Sequence, residues 1–303
     1  MKNRLKREIS IIGVPLDMGA SQLGTRLGPE AIRIAGLIDR LEAMDYSIMD
    51  LGNIAVKGEY KLKKSPDNLN HLETIIDANE DLSIIVDTII KKNRLPLILG
   101  GDHSSVLGSV KGVLNNYENP GIIYFDAHAD INTEVTTPTG NIHGMPIASL
   151  MGMGDKRLSG IGEARGVLKP ENIVYIGLRD LDPGEREIIR KLGIKAFSVQ
   201  DIDRLGIEEV MNEALEYISK NTDVIHVSFD VDCLDPKVAP GTGVKVLGGL
   251  NFREAKIALE LTSQLDNICS IEFVEVNPLL DDQNETAEVA TALICALFGE
   301  SQL

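Results

Sequence analysis

The sequence predicts an α/β fold, a three-layer α/β/α sandwich around a central, mostly parallel sheet of about eight strands. Three observations carry this. Runs such as Ile122-Ile-Tyr-Phe125 are apolar at every position, the mark of strands covered on both faces. They alternate with amphipathic stretches of helical period, which builds a parallel sheet with right-handed crossovers. No Pro/Ser-rich linker, internal repeat or low-complexity tract breaks the alternation, so residues 1–303 are expected to form one domain.

The run Ile9-Ser-Ile-Ile-Gly-Val-Pro15 predicts a first strand over 9–14. The basic stretch 2–7 before it faintly resembles a signal peptide. The apolar part is too short for one, carries Pro15 and reaches Asp17 without a small-residue cleavage site. A helix is expected over 29–43, a strand over 46–51, and a long amphipathic helix over 69–93 with His71 at its start. A strand over 96–100 and a helix over 104–115 come next, then strands over 121–126 and 172–177. A helix over 183–192 leads to a strand over 195–198 and a helix over 207–219. The strand over 224–230 contains His226, which reads as a satisfied core histidine. A helix over 252–264, a strand over 268–275 and a helix over 284–298 complete the chain.

The chain has 303 residues, 43% of them hydrophobic, enough to bury a large core. A net charge of −16 argues against nucleic acid or an anionic membrane as partner, since nothing offers a phosphate-neutralising patch. It agrees with attraction of a cationic substrate, although bulk sign alone does not decide this. Cys233, Cys269 and Cys295 are widely spaced and form no C-x-x-C, which suits a reducing compartment. No apolar run reaches the roughly 18 residues of a membrane span. A cytoplasmic location is expected.

Chemistry concentrates in three islands, each directly after a strand-like run. They are Gly100-Gly-Asp-His103-Ser, Asp126-Ala-His128-Ala-Asp130-Ile-Asn132 and Ser228-Phe-Asp230-Val-Asp232-Cys-Leu-Asp235-Pro. In an extended chain Asp126, His128 and Asp130 would share one face, as would Asp230 and Asp232. A single Asp-x-Asp after a strand is often only a turn or a helix cap. Three such islands, holding two of the five histidines, are more than capping needs. Crowded carboxylates resist ionising unless cations sit between them. Asp126, Asp130, Asp230 and Asp232 balance two divalent ions, which is the case for a binuclear site. The oxygen-rich donor set with His103 and His128 suits manganese best; iron, cobalt or zinc also fit, and a thiolate zinc site is excluded. Such a pair of ions generates hydroxide near neutral pH, so metal-assisted hydrolysis is the generic expectation.

In open α/β sheets ligands bind beyond the carboxyl ends of the strands, where all three islands fall. Glu275 closes the Ile271-Glu-Phe-Val-Glu run there, suited to pairing with a cation. The polar segment from Asn132 through Thr137, Thr139 and Asn141 to His143 suits a carboxylate, with His143 as proton shuttle. The acids of Arg179-Asp180-Leu-Asp182-Pro-Gly-Glu185 could receive an ammonium group. Other motifs fail: Gly241-Thr-Gly243 lacks the third glycine of a dinucleotide loop, and no G-x-x-x-x-G-K-[ST], H-E-x-x-H or G-x-S-x-G occurs. Ser104 beside His103 reads as a cap, not a nucleophile. The residues alone point to hydrolysis of a cationic or zwitterionic small molecule.

These three islands resemble the signature segments of the ureohydrolases, the arginase and agmatinase family. The likeness extends from Ile12-Gly-Val-Pro through Gly28-Pro-Glu-Ala-Ile-Arg to Val274-Glu275-Val-Asn-Pro. The chain looks most like arginase, because Asp-Ile-Asn132 to His143 resembles the loop that holds the α-carboxylate of L-arginine. The resemblance implies an arginase-like fold and two Mn2+ per subunit, one on His103, Asp126, Asp130 and Asp230, the other on Asp126, His128, Asp230 and Asp232. It implies that a metal-bridging hydroxide attacks the guanidinium carbon, giving L-ornithine and urea. Asp130 would pass a proton to the leaving amine with His143 as shuttle, and Glu275 would orient the guanidinium. Asn132 and Thr139, with Thr137 and Asn141 beside them, would hold the carboxylate; Asp182, flanked by Asp180 and Glu185, would hold the amino group. Homotrimers or homohexamers are usual. The alternative is an agmatinase or another ureohydrolase acting on a guanidino substrate. One departure stands out: Val244-Lys245 occupies the place of the usual Thr-Pro, which removes a hydroxyl near the guanidinium and adds a cation.

Overall fold

The computed structural model describes residues 8–57, 64–163 and 166–300; the basic stretch 2–7 lies outside them. Eight strands form one sheet: β1 (Ile9–Gly13), β2 (Ile48–Asn53), β3 (Leu95–Leu99), β4 (Pro120–Phe125), β5 (Ile173–Leu178), β6 (Lys195–Ser198), β7 (Val224–Asp230) and β8 (Ile268–Val274). Their order is β2-β1-β3-β8-β7-β4-β5-β6, and every pairing is parallel. The sheet is thus wholly rather than mostly parallel.

The helices are α1 (Gly28–Ile34), α2 (Leu37–Ala43), α3 (Leu72–Lys91), α4 (Val106–Leu114), α5 (Pro146–Leu150) and α6 (Lys156–Ser159). After these come α7 (Pro183–Leu192), α8 (Val199–Leu205), α9 (Ile207–Asn221), α10 (Phe252–Thr262) and α11 (Glu285–Leu297). Side chains alternate across each strand, so β4 sends Ile123 and Phe125 into one core and Ile122 and Tyr124 into the other. The first core lies under α1, α2 and α8 to α11, and the second under α3 to α7. This is the predicted three-layer sandwich. Among the described residues no helix is long and apolar enough to cross a membrane.

Three expectations need correction. The helix over 29–43 is two helices, because Gly36 adopts φ 83 and breaks the hydrogen-bond ladder between α1 and α2. His71 precedes α3 with a left-handed φ of 57 rather than beginning it. The short helices α5, α6 and α8 were not expected; α8 follows β6 without a linker, its start fixed by a Ser198–Asp201 capping box.

Candidate metal centre

The strand order sets β3, β8, β7 and β4 side by side, so the islands after β3, β7 and β4 meet at one carboxyl edge, with Glu275 after β8 among them. They converge by turning, not by the pleat. The extended geometry expected for Asp126 to Asp130 ends at Phe125, and Asp130 sits at φ 51. Carboxylates hold these turns: Asp126 Oδ1 accepts from His128 N at 2.7 Å, and Asp230 Oδ1 from Asp232 N at 2.7 Å. Gly101 packs flat against Leu16, where a Cβ would lie 1.8 Å from the Leu16 carbonyl oxygen. Only glycine lets this turn enter His103.

Two three-residue groups are spaced to hold a cation: His103, Asp126 and Asp230, and Asp126, His128 and Asp232. His103 Nδ1 lies 3.0 Å from Asp126 Oδ2 and 3.2 Å from Oδ2 of both Asp130 and Asp230. His128 Nδ1 lies 3.3 Å from Asp126 Oδ1 and 3.1 Å from Asp232 Oδ2. Asp126 therefore turns one oxygen to each histidine. His103 Nδ1 and Asp126 Oδ2 are buried with no hydrogen-bond partner, although they face each other. Donor atoms gathered in this way, aimed inward and left unsatisfied, fit a cation.

Left to the protein's own charges, the cluster is under strain. Burial, then repulsion from Asp130 and Asp232, pushes Asp126 up to about 6. Burial, then repulsion from Asp232 and Asp126, raises Asp230 well above the usual carboxylate range. Burial opposes the charge on Asp232 too, but His128 and Arg179 outweigh it and bring it to about 2.

Behind His103 runs a buried relay that fixes its tautomer. Burial raises Glu272, but His226, His103 and Ser109 outweigh it, so its pKa falls below the ordinary value. An ionised carboxylate only accepts. Ser228 Oγ must spend its one proton on Glu272 Oε1, at 2.8 Å, and so accepts from His103 Nε2, also at 2.8 Å. Burial opposes charge on His103, but Asp126, Asp130 and Asp230 outweigh it and raise the imidazole well above its ordinary value. A cation replacing the Nδ1 proton would meet the ring's lone pair there while Nε2–H stays on Ser228. Ser109 Oγ donates to Glu272 Oε2 at 2.6 Å. His226 is buried as expected but only half satisfied: Nδ1 lies 2.6 Å from Ser270 Oγ, whereas Nε2 is 3.6 Å from Glu272 and has no hydrogen-bond partner among the described residues. Ser228 and Glu272 were missed as partners; the signal was a glutamate inside the apolar run of β8, which burial obliges to find donors.

Above the cluster opens a cavity of about 400 Å3 lined by Asp130, Asn132, Thr137, Thr139, Asn141, His143, Asp180, Asp182, Glu185 and Glu275. All the expected substrate-side residues thus share one cavity. Their engagements differ. Asn132 Nδ2 donates to Asp182 Oδ2 at 2.8 Å, and Asn141 Nδ2 to Ser21 Oγ at 2.7 Å. Thr137 Oγ1 accepts from Gly140 N and Thr139 Oγ1 from Asn141 N, so the loop shapes itself. Glu185 is buried, its oxygens taken by Ile131 N at 3.2 Å and Asp182 N at 2.9 Å. It ties α7 to the Asp130 turn, and burial pushes its carboxyl up to about 7. Glu275 Oε1 accepts from His103 N at 2.9 Å and lies 3.1 Å from His143 Nδ1. Burial works against charge on His143, but Glu275 outweighs it and brings the imidazole to about 9. Val244 lines the cavity, whereas the exposed Lys245 does not. Ala20, Ser21 and Gln22, also unforeseen, supply a further wall, pinned by Asp102 Oδ2 accepting from Gly19 N at 2.7 Å.

A parallel α/β sheet carrying inward-facing carboxylates and imidazoles beneath a polar cavity defines a hydrolase built to hold metal. The arginase family model matches residues 7–299. The arginase of Brevibacillus brevis is 48% identical over 299 residues, 99% of this chain and 100% of its own. The solved arginase of Bacillus caldovelox superposes with a TM-score of 0.95 at 47% identity, covering 98% of this chain and 100% of that one. The Entamoeba histolytica arginase, solved in complex with L-ornithine, gives 0.89 at 30% identity, covering 97% and 99%. The chain belongs to the arginase family.

Proposed function

We propose that the chain hydrolyses L-arginine to L-ornithine and urea, with two Mn2+ per subunit. The observation that carries this reading is the pair of three-residue donor groups sharing Asp126 at the floor of a cavity rimmed by amides, hydroxyls and acids. One ion would be held by His103, Asp126, Asp130 and Asp230, the other by Asp126, His128, Asp230 and Asp232. When bound, divalent ions supply Lewis-acid charge that brings the ionisation of water into the neutral range.

The chain's own groups do the rest. Glu275 keeps Oε1 on the His103 amide and turns Oε2 to the guanidinium. Asn132, Thr137, Thr139 and Asn141 offer the uncharged donors that an α-carboxylate needs. Asp182 and Asp180 receive the α-amino group, and Glu185 supports both ends of the substrate through Ile131 N and Asp182 N. Asp130 accepts the proton of the attacking water and passes it to the leaving amine. His143, paired with Glu275 at 3.1 Å, carries a proton into the cavity and resupplies the one that Asp130 delivers. The Entamoeba relative's complex with L-ornithine supports the product assignment. One sheet running from Ile9 to Val274 supports a single domain over 1–303, and we read the protein as a cytoplasmic homotrimer or homohexamer.

The test is urea release from L-arginine and from agmatine after manganese loading, with metal counted per subunit. Two equivalents and activity on L-arginine alone are expected. Activity on agmatine instead would move the assignment to an agmatinase. Asp130→Asn is expected to abolish turnover while retaining much of the metal.

A further inference from the structure

Asp130 is asked to do two things at once, to bind metal and to move protons, and each needs a defined oxygen. Its backbone gives little help, since φ 51 is a sparsely populated conformation for any residue other than glycine, and the side chain hangs from a turn. What restrains the carboxylate is Tyr124. This tyrosine is completely buried, and its hydroxyl donates to Asp130 Oδ2 at 2.7 Å. Its ring lies flat against His103, centroids 4.4 Å apart and planes 3° from parallel. One side chain therefore touches two members of the donor cluster, one by hydrogen bond and one by stacking. Tyr124 is itself held edge-on by Tyr175, at 5.6 Å and 80°, whose hydroxyl donates to the Ala129 carbonyl at 2.7 Å.

We propose that Tyr124 is a positioning residue that divides the work of the Asp130 carboxylate. The hydroxyl anchors Oδ2 on the cluster side, where it lies 3.2 Å from His103 Nδ1. Oδ1 makes no hydrogen bond among the described residues and is left for the cavity that Asp130 lines. Without the hydroxyl the carboxylate is free to rotate about its Cβ–Cγ bond, an sp3–sp2 torsion with broad wells. Either oxygen would then serve either role, and both would be served less well. The stacked ring also fixes the plane of His103, so the hydroxyl and the ring act on the cluster independently.

The inference rests on Asp130 being a metal ligand, and its test separates the two. Tyr124→Phe keeps the ring and its stack and removes only the donor. Tyr175→Phe removes a neighbouring buried hydroxyl that reaches a backbone carbonyl and no ligand side chain. Cobalt(II) titration followed by its d–d absorption reports the ligand field directly, alongside kcat and KM for L-arginine with manganese. Tyr124→Phe is expected to weaken binding of one of the two ions about tenfold, as loss of an outer partner of a metal ligand does. Its cobalt spectrum should change, and kcat should fall with little change in KM. Tyr175→Phe should keep the unmodified spectrum and affinity. Unchanged affinity and spectrum in Tyr124→Phe would overturn the proposal, as would an equal loss in both variants, which would mean general repacking. If the unmodified protein takes up no cobalt, the metal assignment falls and this inference with it. If it binds two ions and releases urea while Tyr124→Phe behaves identically, only this inference falls.

Discussion

Ser228→Ala isolates the relay behind His103. Ser228 is fully buried and bridges His103 Nε2 and Glu272 Oε1 with two hydrogen bonds of 2.8 Å each. With the hydroxyl gone, those two atoms face each other at 3.8 Å, too far to bond. Deleting an oxygen from an alanine-sized site leaves no room for a replacement water. The buried Nε2–H must then stay unpaired or draw His103 toward Glu272 and its Nδ1 away from the aspartates. Either course forfeits a hydrogen bond to a charged group, about 1.5–3 kcal/mol. Converted at 1.4 kcal/mol per decade, that is a loss of roughly 10- to 100-fold in metal affinity, which is the range that outer partners of metal-bound histidines command. The assay is competition for Mn2+ against a chromophoric chelator, with calorimetry of the metal-free protein as a check on folding. The metal-free Tm should drop by only about 2–5 °C, the shift such an energy gives a chain of this length. A variant that is folded and binds Mn2+ within threefold of the unmodified protein would refute the relay.

Three further outcomes follow from the charges and the cavity. Metal-free Asp126→Asn should be more stable than the metal-free parent at pH 8 and lose that advantage by pH 4. A folded carboxyl raised to about 6 binds a proton that the unfolded chain releases near 4, so the parent's stability falls as pH rises through that window; thermal denaturation across pH checks the sign. His143 should titrate near 9 in the metal-free protein and lower once cations are bound or Glu275 is replaced by Gln, as read from its imidazole proton resonances. By the same linkage, the pair's contribution to stability is complete below about 6.5 and lost as pH rises through about 9. Val244→Thr should raise kcat/KM for L-arginine about two- to tenfold, the worth of one neutral hydrogen bond, and an unchanged value would exclude a role for this cavity wall.

Much of this is legible in the amino-acid sequence. Strand positions and the two-sided burial of the sheet follow from apolar runs, and the donor cluster follows from placing three islands at strand ends. What escaped was whatever depends on pairing between distant strands. Ser228 meets Glu272, 44 residues away, only because β7 and β8 pair in that register, after an irregularity between Ile225 and His226. Sliding one strand by a single residue would turn the glutamate to the other face. Tyr124 escaped for a different reason. In sequence it is one more apolar position in a buried run, and nothing local reveals that its hydroxyl lies under Asp130. Glu185 shows the converse: it lines the cavity, but a capping box takes one of its oxygens and the Ile131 amide the other.

The place of β8 in the sheet has a consequence for biosynthesis. β2, β1 and β3 form one side and carry His103, while β7, β4, β5 and β6 form the other and carry the remaining five donors; β8 alone joins them. Among the described strands it is also the last in the sequence. Until residues 268–274 emerge, the two sides have no ladder between them, and the first of the three-residue groups lacks its imidazole. A nascent or truncated chain ending before β8 would offer scavenged cations only the half-site of Asp126, His128 and Asp232. On this topology, both donor groups come together only when a central strand is seated between two edges, a non-local pairing of the kind that slows folding.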